Sequence, residues 1–397
     1  MSLYGTQRLQ ELRMIVTGGG TGGHTYPALT TISTLQARLG ETGARPELLW
    51  VGVANGLEAT IAARNNIPFK AITTGKLRRS PNPRELARNL ADAFRIPFGV
   101  VQAAVTVART RPSVVLSTGG YVSVPIGLAA RLFRVPYLMH EQTLSLGLAN
   151  RILARVATRI LLSHEASLNH LPASARRRAI VTGNPVRPAV LQGNSAKGLA
   201  AYDLDPGVPL VLVTGGASGA QQINRILAGT LPGLLPHCQI VHQCGSLNHA
   251  EMQQAARELP PQLAHRYRVI DFIHEELPDL LAAAAVVVAR SGAGTVAELT
   301  ALGKASILIP YPVSAGDEQR ITARHLADQG AAAMLDGDQA TPEQLYATIT
   351  SLLTDHHRRA AMSQAAAAHG RPDAAARVVT EILTIAGHGR GTAGPAG

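Results

Sequence analysis

The 397-residue chain is 46% apolar and 16% charged, so it is long and apolar enough for two globular domains and is neither disordered nor fibrous. Its net charge of +11 is uneven: residues 1–189 hold 23 Lys and Arg against 8 Asp and Glu, and the remainder 14 against 18, so the first half is the part expected to meet an anion. The apolar run 280–289 is too short to span a bilayer, aromatics at 4% argue against nucleic acid, and the two cysteines, Cys238 and Cys244, lack metal or redox spacing.

In chain order, residues 1–12 offer no apolar signal core, so secretion is not expected. A strand at 13–17 runs into Gly18-Gly19-Gly20-Thr21-Gly22-Gly23, with His24 opening a helix. A second strand follows at 47–53. Next comes a basic stretch with Lys76, Arg78, Arg79, Arg84, Arg88 and Arg95, and with Phe94 and Phe98 among the apolar residues. That stretch reads either as a solvated helix face or as a peripheral membrane patch, with cations meeting lipid phosphates at about 1 kcal/mol each. A strand at 114–117 enters a second glycine loop at Gly119-Gly120-Tyr121, and a strand at 135–139 ends in the string MHEQT, 139–143. Strands at 158–162 and 179–182 complete a βα alternation, which predicts a parallel sheet covered on both faces.

The polar stretch from about 190 to 207 reads as a linker. The alternation restarts with strands at 209–216, 239–245, 267–273, 284–290 and 305–312 and closes with helices from about 341 to 386. Two further glycine turns fall in this half, GGASGA at 215–220 and SGAGT at 291–295. The expected fold is α/β, with two doubly wound Rossmann-like domains and a cleft between them. Each strand–glycine–helix turn offers free N–H groups and the positive end of a helix dipole, which suits phosphate or a developing anion.

Several side chains admit both a chemical and a structural reading. His24 either caps its turn or takes a proton from a sugar hydroxyl. Glu141, beside His140 at a strand end, is a second carboxylate of interest. Glu298 either hydrogen-bonds ribose or simply favours a helix N-terminus. The first loop contains G-x-G-x-x-G, but the second strand ends without an acid and Glu58 comes late, which disfavours a nicotinamide dehydrogenase. The D-x-D strings at 203–205 and 336–338 lie in a linker and a turn, and no metal site is predicted.

Taken in order, GGGTGGHTYPAL, STGGYVSVP, HEQ with LANRIL, TGNPVR, VTGGASGAQQIN, DFI, ARSGAGTVAEL and DEQ resemble the MurG-type peptidoglycan glycosyltransferases, a family 28 group with the GT-B fold. The similarity runs from about residue 14 to about 385. It implies inverting transfer of N-acetylglucosamine from UDP-N-acetylglucosamine to the 4-hydroxyl of undecaprenyl-diphospho-N-acetylmuramoyl-pentapeptide (lipid I), giving lipid II. It also implies no cofactor and peripheral attachment to the cytoplasmic face of an anionic cell membrane. Residues 1–186, completed by a helix at about 366–386, would hold the lipid-linked acceptor; 187–365 would hold the donor, and 387–397 would be a disordered tail.

Position by position, the resemblance implies that Gly18, Gly19, Gly20, Gly119, Gly120 and Tyr121 cradle the acceptor diphosphate. Thr21, Gly22, Gly23 and Thr143 would contribute on the donor side. Arg187, Ala217, Ser218 and Gly219 would meet the donor diphosphate, and Ile273 uracil. Ala293, Gly294, Thr295 and Val296 would line the nucleotide, with Glu298 on ribose and Gln319 on the sugar. His24 is the first candidate base and Glu141 the second. Thr143, Ala217, Ser218 and Thr322 depart from the family pattern. Those departures leave open a paralogue acting on another polyprenyl-linked acceptor, or a non-catalytic nucleotide- or lipid-binding copy.

Overall fold

The computed structural model describes residues 12–75, 83–216 and 219–388, without the side chains of 83–94, Ala315 and His388. It divides into two compact units, one running to Pro185 and resuming at Asp373, the other Val186–Pro372.

In the first unit the strands are β1 (Arg13–Thr17), β2 (Glu47–Gly52), β3 (Phe69–Ala71), β4 (Val114–Ser117), β5 (Tyr137–Glu141), β6 (Arg159–Leu162) and β7 (Ala179–Val181). They form one all-parallel sheet in the order β3-β2-β1-β4-β5-β6-β7. Strands such as VVLS of β4 are buried on both faces because helices cover both. Those helices include α1 (Gly22–Gly40), α2 (Leu57–Arg64), α3 (Pro83–Thr110) and α4 (Ser123–Leu132). The strand expected at 135–139 is displaced to 137–141. Pro136 has no N–H, its carbonyl accepts from Val115, and the pairing with β4 begins at Tyr137. His140 and Glu141 therefore sit inside the strand.

The stretch expected to be a linker instead folds onto the second unit. Asn194 caps α5 (Ser195–Ala201) by accepting from the Lys197 N–H, and its own N–H donates to Asp279 Oδ1 at 2.6 Å. The close approach needs glycine, since a Cβ on Gly198 would lie 2.5 Å from the Asp279 backbone. The second sheet contains β8 (Leu210–Thr214), β9 (Gln239–Gln243), β10 (Tyr267–Ile270), β11 (Val286–Ala289), β12 (Ser306–Leu308) and β13 (Ala333–Met334), all parallel, in the order β10-β9-β8-β11-β12-β13. Its helices include α6 (Gln221–Ala228), α7 (Leu277–Ala283), α8 (Ala293–Ala301) and α9 (His356–His369).

The helix expected at about 366–386 is divided by Gly370-Arg371-Pro372. α9 ends at His369, and α10 (Ala374–His388) begins beyond the proline. Gly387 and His388, expected in a disordered tail, belong to α10; the residues beyond it lie outside the described ones. α10 packs Val378, Val379, Ile382 and Ala386 into the first unit's core with Met14, Ile32 and Leu35.

Both units share the inner strand order 3-2-1-4-5-6, in which chain direction across the sheet reverses between the first and fourth strands. Ligands of doubly wound sheets bind at that switch point, outside the carboxyl ends of the strands. The four glycine turns follow β1 and β4 in one unit and β8 and β11 in the other, so each pair flanks its unit's switch point.

Each sheet also buries a histidine. His242 on β9 lies 2.8 Å from the Tyr267 hydroxyl and 3.0 Å from Asn224 Oδ1, and burial pulls its pKa down from 6.5 to about 3. His140 on β5 is pulled down to about 4, again chiefly by burial. A neutral histidine in the fold that protonates freely when unfolded gives stability that is whole above pH 6.5 and lost as pH falls below it. We expect the urea midpoint to drop from pH 6.5 towards 4, at up to about 1.4 kcal/mol per pH unit for each histidine. A midpoint that stays flat from pH 7 to 5 would contradict this.

Candidate active site

In the first unit the two glycine loops touch through their backbones. A Cβ on Gly120 (φ +84°) would lie 2.6 Å from the Gly19 carbonyl oxygen, and one on Gly18 (φ +146°) 2.0 Å from Thr118 Oγ1. Only glycine permits this approach at positive φ. Beneath them lies Glu58, wholly buried, which accepts from the Gly20 N–H at 3.2 Å and the Val53 N–H at 3.0 Å. Its carboxyl group would collide with any side chain at Gly19. Glu58, passed over because it falls after the second strand, is thus the floor of the first loop.

His24 stands in the first turn of α1, whose N-cap residue Thr21 makes no side-chain cap and whose first turn holds no acid. The N-terminal N–H groups of α1, with Gly22 and Gly23, therefore keep the positive field that favours an anion. The His24 ring rests against Gly119, where a Cβ would come within 3.2 Å of Cε1 and Nδ1. Nδ1 lies 3.0 Å from Gln142 Oε1. Tyr121 follows Gly120, and a Cβ on Gly20 would meet its ring at 3.4 Å.

Glu141 is placed differently from a base. It is 2% exposed, and donors surround both carboxylate oxygens. Around Oε1 are the Thr143 N–H at 3.1 Å and the Thr143 hydroxyl at 2.8 Å; around Oε2 are the Gly147 N–H at 3.2 Å and Asn150 Nδ2 at 2.9 Å. Those four directions account for the lone pairs of a carboxylate. Glu141, the second candidate base, thus braces the loop after β5 through both oxygens. Thr143 is committed as well, because its one hydroxyl proton has Glu141 and, at 2.7 Å, the Ser145 carbonyl as acceptors.

In the second unit Gly219 (φ +72°) lies so near β9 that a Cβ would sit 2.1 Å from the Cys244 carbonyl oxygen. Ala217 and Ser218 lie outside the described residues. Gln243, 4% exposed at the end of β9, donates Nε2 to the Gly216 carbonyl at 2.8 Å and accepts from the Ile273 N–H at 3.0 Å. Ile273 is 2% exposed, with its side chain in the core and its N–H given to Gln243.

Gly292, Ala293, Gly294 and Thr295 form the start of α8, which has no side-chain cap and no acid in its first turn; Val296 is buried beneath it. Glu298 lies beyond that first turn. Its Oε1 accepts from Arg187 Nε at 2.9 Å and faces Arg187 Nη2 at 2.8 Å. Burial raises the Glu298 pKa and the Arg187 guanidinium opposes the rise. The two residues expected on ribose and diphosphate are thus one forked pair. Gln319 accepts from the Tyr311 N–H through Oε1 at 3.0 Å, which turns its NH₂ group away as a donor. Arg290 Nη1 ties Gln222 of α6 to the Ile309 and Pro310 carbonyls and so joins the ends of three loops.

Two models of known families match: the glycosyltransferase family 28 N-terminal domain over 14–162 and the family 28 C-terminal domain over 210–378. The chain is 36% identical, over 95% of its length and 100% of the relative's, to the UDP-N-acetylglucosamine–N-acetylmuramyl-(pentapeptide) pyrophosphoryl-undecaprenol N-acetylglucosamine transferase of Desulforudis audaxviator. The chain belongs to glycosyltransferase family 28. A transferase of the same name from Listeria monocytogenes is 35% identical over 94% of the chain and 99% of its own length. A crystal structure of MurG from Acinetobacter baumannii superposes with a TM-score of 0.75 at 28% identity, covering 94% of this chain and 99% of that one. The two parallel-sheet units are those of the GT-B fold.

The family 28 N-terminal match contains both loops of the first switch point with His24 and Glu141, and the C-terminal match contains both loops of the second with Glu298 and Gln319; Arg187 falls between them. Within this family 28 chain, Glu58, Gln142, Gln243 and Arg290 were missed by sequence reasoning. Gln142 and Arg290 carried a signal, their places in the HEQ and ARSGAGTVAEL strings. Of the basic apolar stretch, Lys76, Arg78 and Arg79 lie outside the described residues, and Arg84, Arg88 and Phe94 are placed only by their backbone on α3. Arg95 and Phe98 are exposed. Phe98, Val101 and Val105 follow helical spacing along one face, and Leu132 and Phe133 are exposed at the end of neighbouring α4. Among the described residues no helix is long and apolar enough to cross a membrane.

Proposed function

We propose that this family 28 enzyme moves N-acetylglucosamine from UDP-N-acetylglucosamine to the muramoyl 4-hydroxyl of lipid I, forming lipid II. The observation that carries the assignment of roles is His24 at an uncapped helix start beside two glycine loops in backbone contact. Those loops and the α1 N-terminus bind the acceptor diphosphate through N–H groups. The donor binds the second unit: uracil at the Ile273 carbonyl, ribose at Glu298, diphosphate at Arg187 and the loop 215–220, and the sugar at the Gln319 NH₂ group. The 4-hydroxyl oxygen attacks the anomeric carbon as its bond to the UDP oxygen breaks, with inversion. The hydroxyl proton passes to His24. Negative charge growing on UDP is met by Arg187 and the α8 N–H groups, which are fixed before reaction.

The test is transfer of labelled N-acetylglucosamine from its UDP donor to a lipid I analogue. Labelled disaccharide lipid supports the assignment; UDP-sugar binding without transfer to that acceptor rejects it. With a lipid-linked acceptor the enzyme works at the cytoplasmic membrane face, a reading supported by exposed Phe98, Val101 and Leu132, which would enter the interface beside Arg95 and Arg131 at the lipid phosphates. Replacing Phe98 and Leu132 with Asp should release the protein from vesicles containing anionic lipid, and unchanged sedimentation with vesicles would remove the patch from the proposal.

A further inference from the structure

Three hydrogen bonds lead from the sheet interior to His24. His140 Nε2 lies 2.9 Å from the Gly183 carbonyl oxygen, Gln142 Nε2 lies 3.0 Å from His140 Nδ1, and His24 Nδ1 lies 3.0 Å from Gln142 Oε1. His140 and Gln142 are each 1% exposed, so water cannot substitute for a mismatched partner.

This row has one allowed polarity, set at its buried end. A carbonyl oxygen only accepts, so His140 carries its proton on Nε2. Burial keeps His140 neutral, with a pKa pulled down to about 4, so Nδ1 has a lone pair and must accept. The Gln142 amide must then present NH₂ to His140 and its oxygen to His24. The oxygen only accepts, so His24 Nδ1 must donate. A neutral imidazole has one N–H, and Nε2 is left as a lone pair.

We propose that Gln142 and His140 are positioning residues that hold the proton of neutral His24 on Nδ1 and so keep Nε2 bare to receive the acceptor's hydroxyl proton. A free histidine side chain favours the opposite tautomer, with the proton on Nε2, which has no lone pair there to accept it. The Gly183 carbonyl, on the turn after β7, thereby sets the protonation pattern of a ring in the first turn of α1. Gly119 contributes by leaving room for the ring in this orientation.

The inference rests on the reading of His24 as base, and its test reads the proton directly. The full chain labelled with ¹⁵N-histidine is examined by long-range ¹H–¹⁵N correlation at pH 8, with His24 assigned from a His24→Gln spectrum. The expected result is a protonated Nδ1 and a bare Nε2. In Gln142→Met the ring should move to the Nε2–H form, and kcat should fall by about 10²-fold or more with donor KM unchanged. An Nε2–H form in the wild type, or an unchanged tautomer in folded Gln142→Met, overturns the proposal. If the expected tautomer is seen but His24→Ala turns over normally, the relay stands and the base assignment falls.

Discussion

His24→Ala is expected to lower kcat by about 10²–10⁴-fold, the range for loss of a positioned general base. Donor KM should hold, because Glu298, Arg187 and Gln319, the proposed donor contacts, all lie in the second unit. The ring packs on Gly119 at the start of a 19-residue helix and is half-buried, so its removal leaves the core intact. A loss confined to kcat marks an interaction made in the transition state. Steady-state rates with a lipid I analogue at saturating donor measure it, and a kcat within about tenfold of wild type would end the base assignment.

Glu141→Gln is expected to act through stability. The substitution turns an NH₂ group towards two donors, either those of Thr143 or the Gly147 N–H and Asn150 Nδ2. The Thr143 hydroxyl keeps the Ser145 carbonyl and Asn150 Nδ2 the His140 carbonyl, so one buried backbone N–H, of Thr143 or Gly147, is left without an acceptor, at about 1–3 kcal/mol. For a unit of this size that lowers Tm by about 2–12 °C. Calorimetry on the two proteins decides it, with activity at low temperature following the folded fraction. Unchanged Tm beside a lost kcat would restore Glu141 to the reaction.

The central strands and the four glycine turns were legible because a buried parallel strand is an apolar run and its loop must be glycine where backbones meet. The edge strands Phe69–Ala71 and Ala333–Met334 were not, being too short to impose a period. The polar residues from 194 to 201 gave no apolar stripe, yet they fold because Gly198 lets α5 lie against α7. His24 was visible from its place after a loop. What Gln142, Gln243, Glu58 and Arg290 do depends on partners up to 118 residues away, and a single chain does not display such pairings. The surroundings of Glu141 were hidden for the same reason, since its four donors lie in a loop that the sequence does not fold on paper.

The return of α10 to the first unit separates the order of synthesis from the order of completion. Translation delivers β1 to β7 first, then the whole of the second unit, and only then Val378, Val379 and Ile382. Until those side chains emerge, the apolar side chains that they cover, Ile32 and Leu35 among them, lack their full cover, at about 1.5–3 kcal/mol for each large side chain not yet buried. The half that leaves the ribosome earliest is thus the last to close, and a chain cut short at residue 372 and released would carry a finished second unit and an unfinished first.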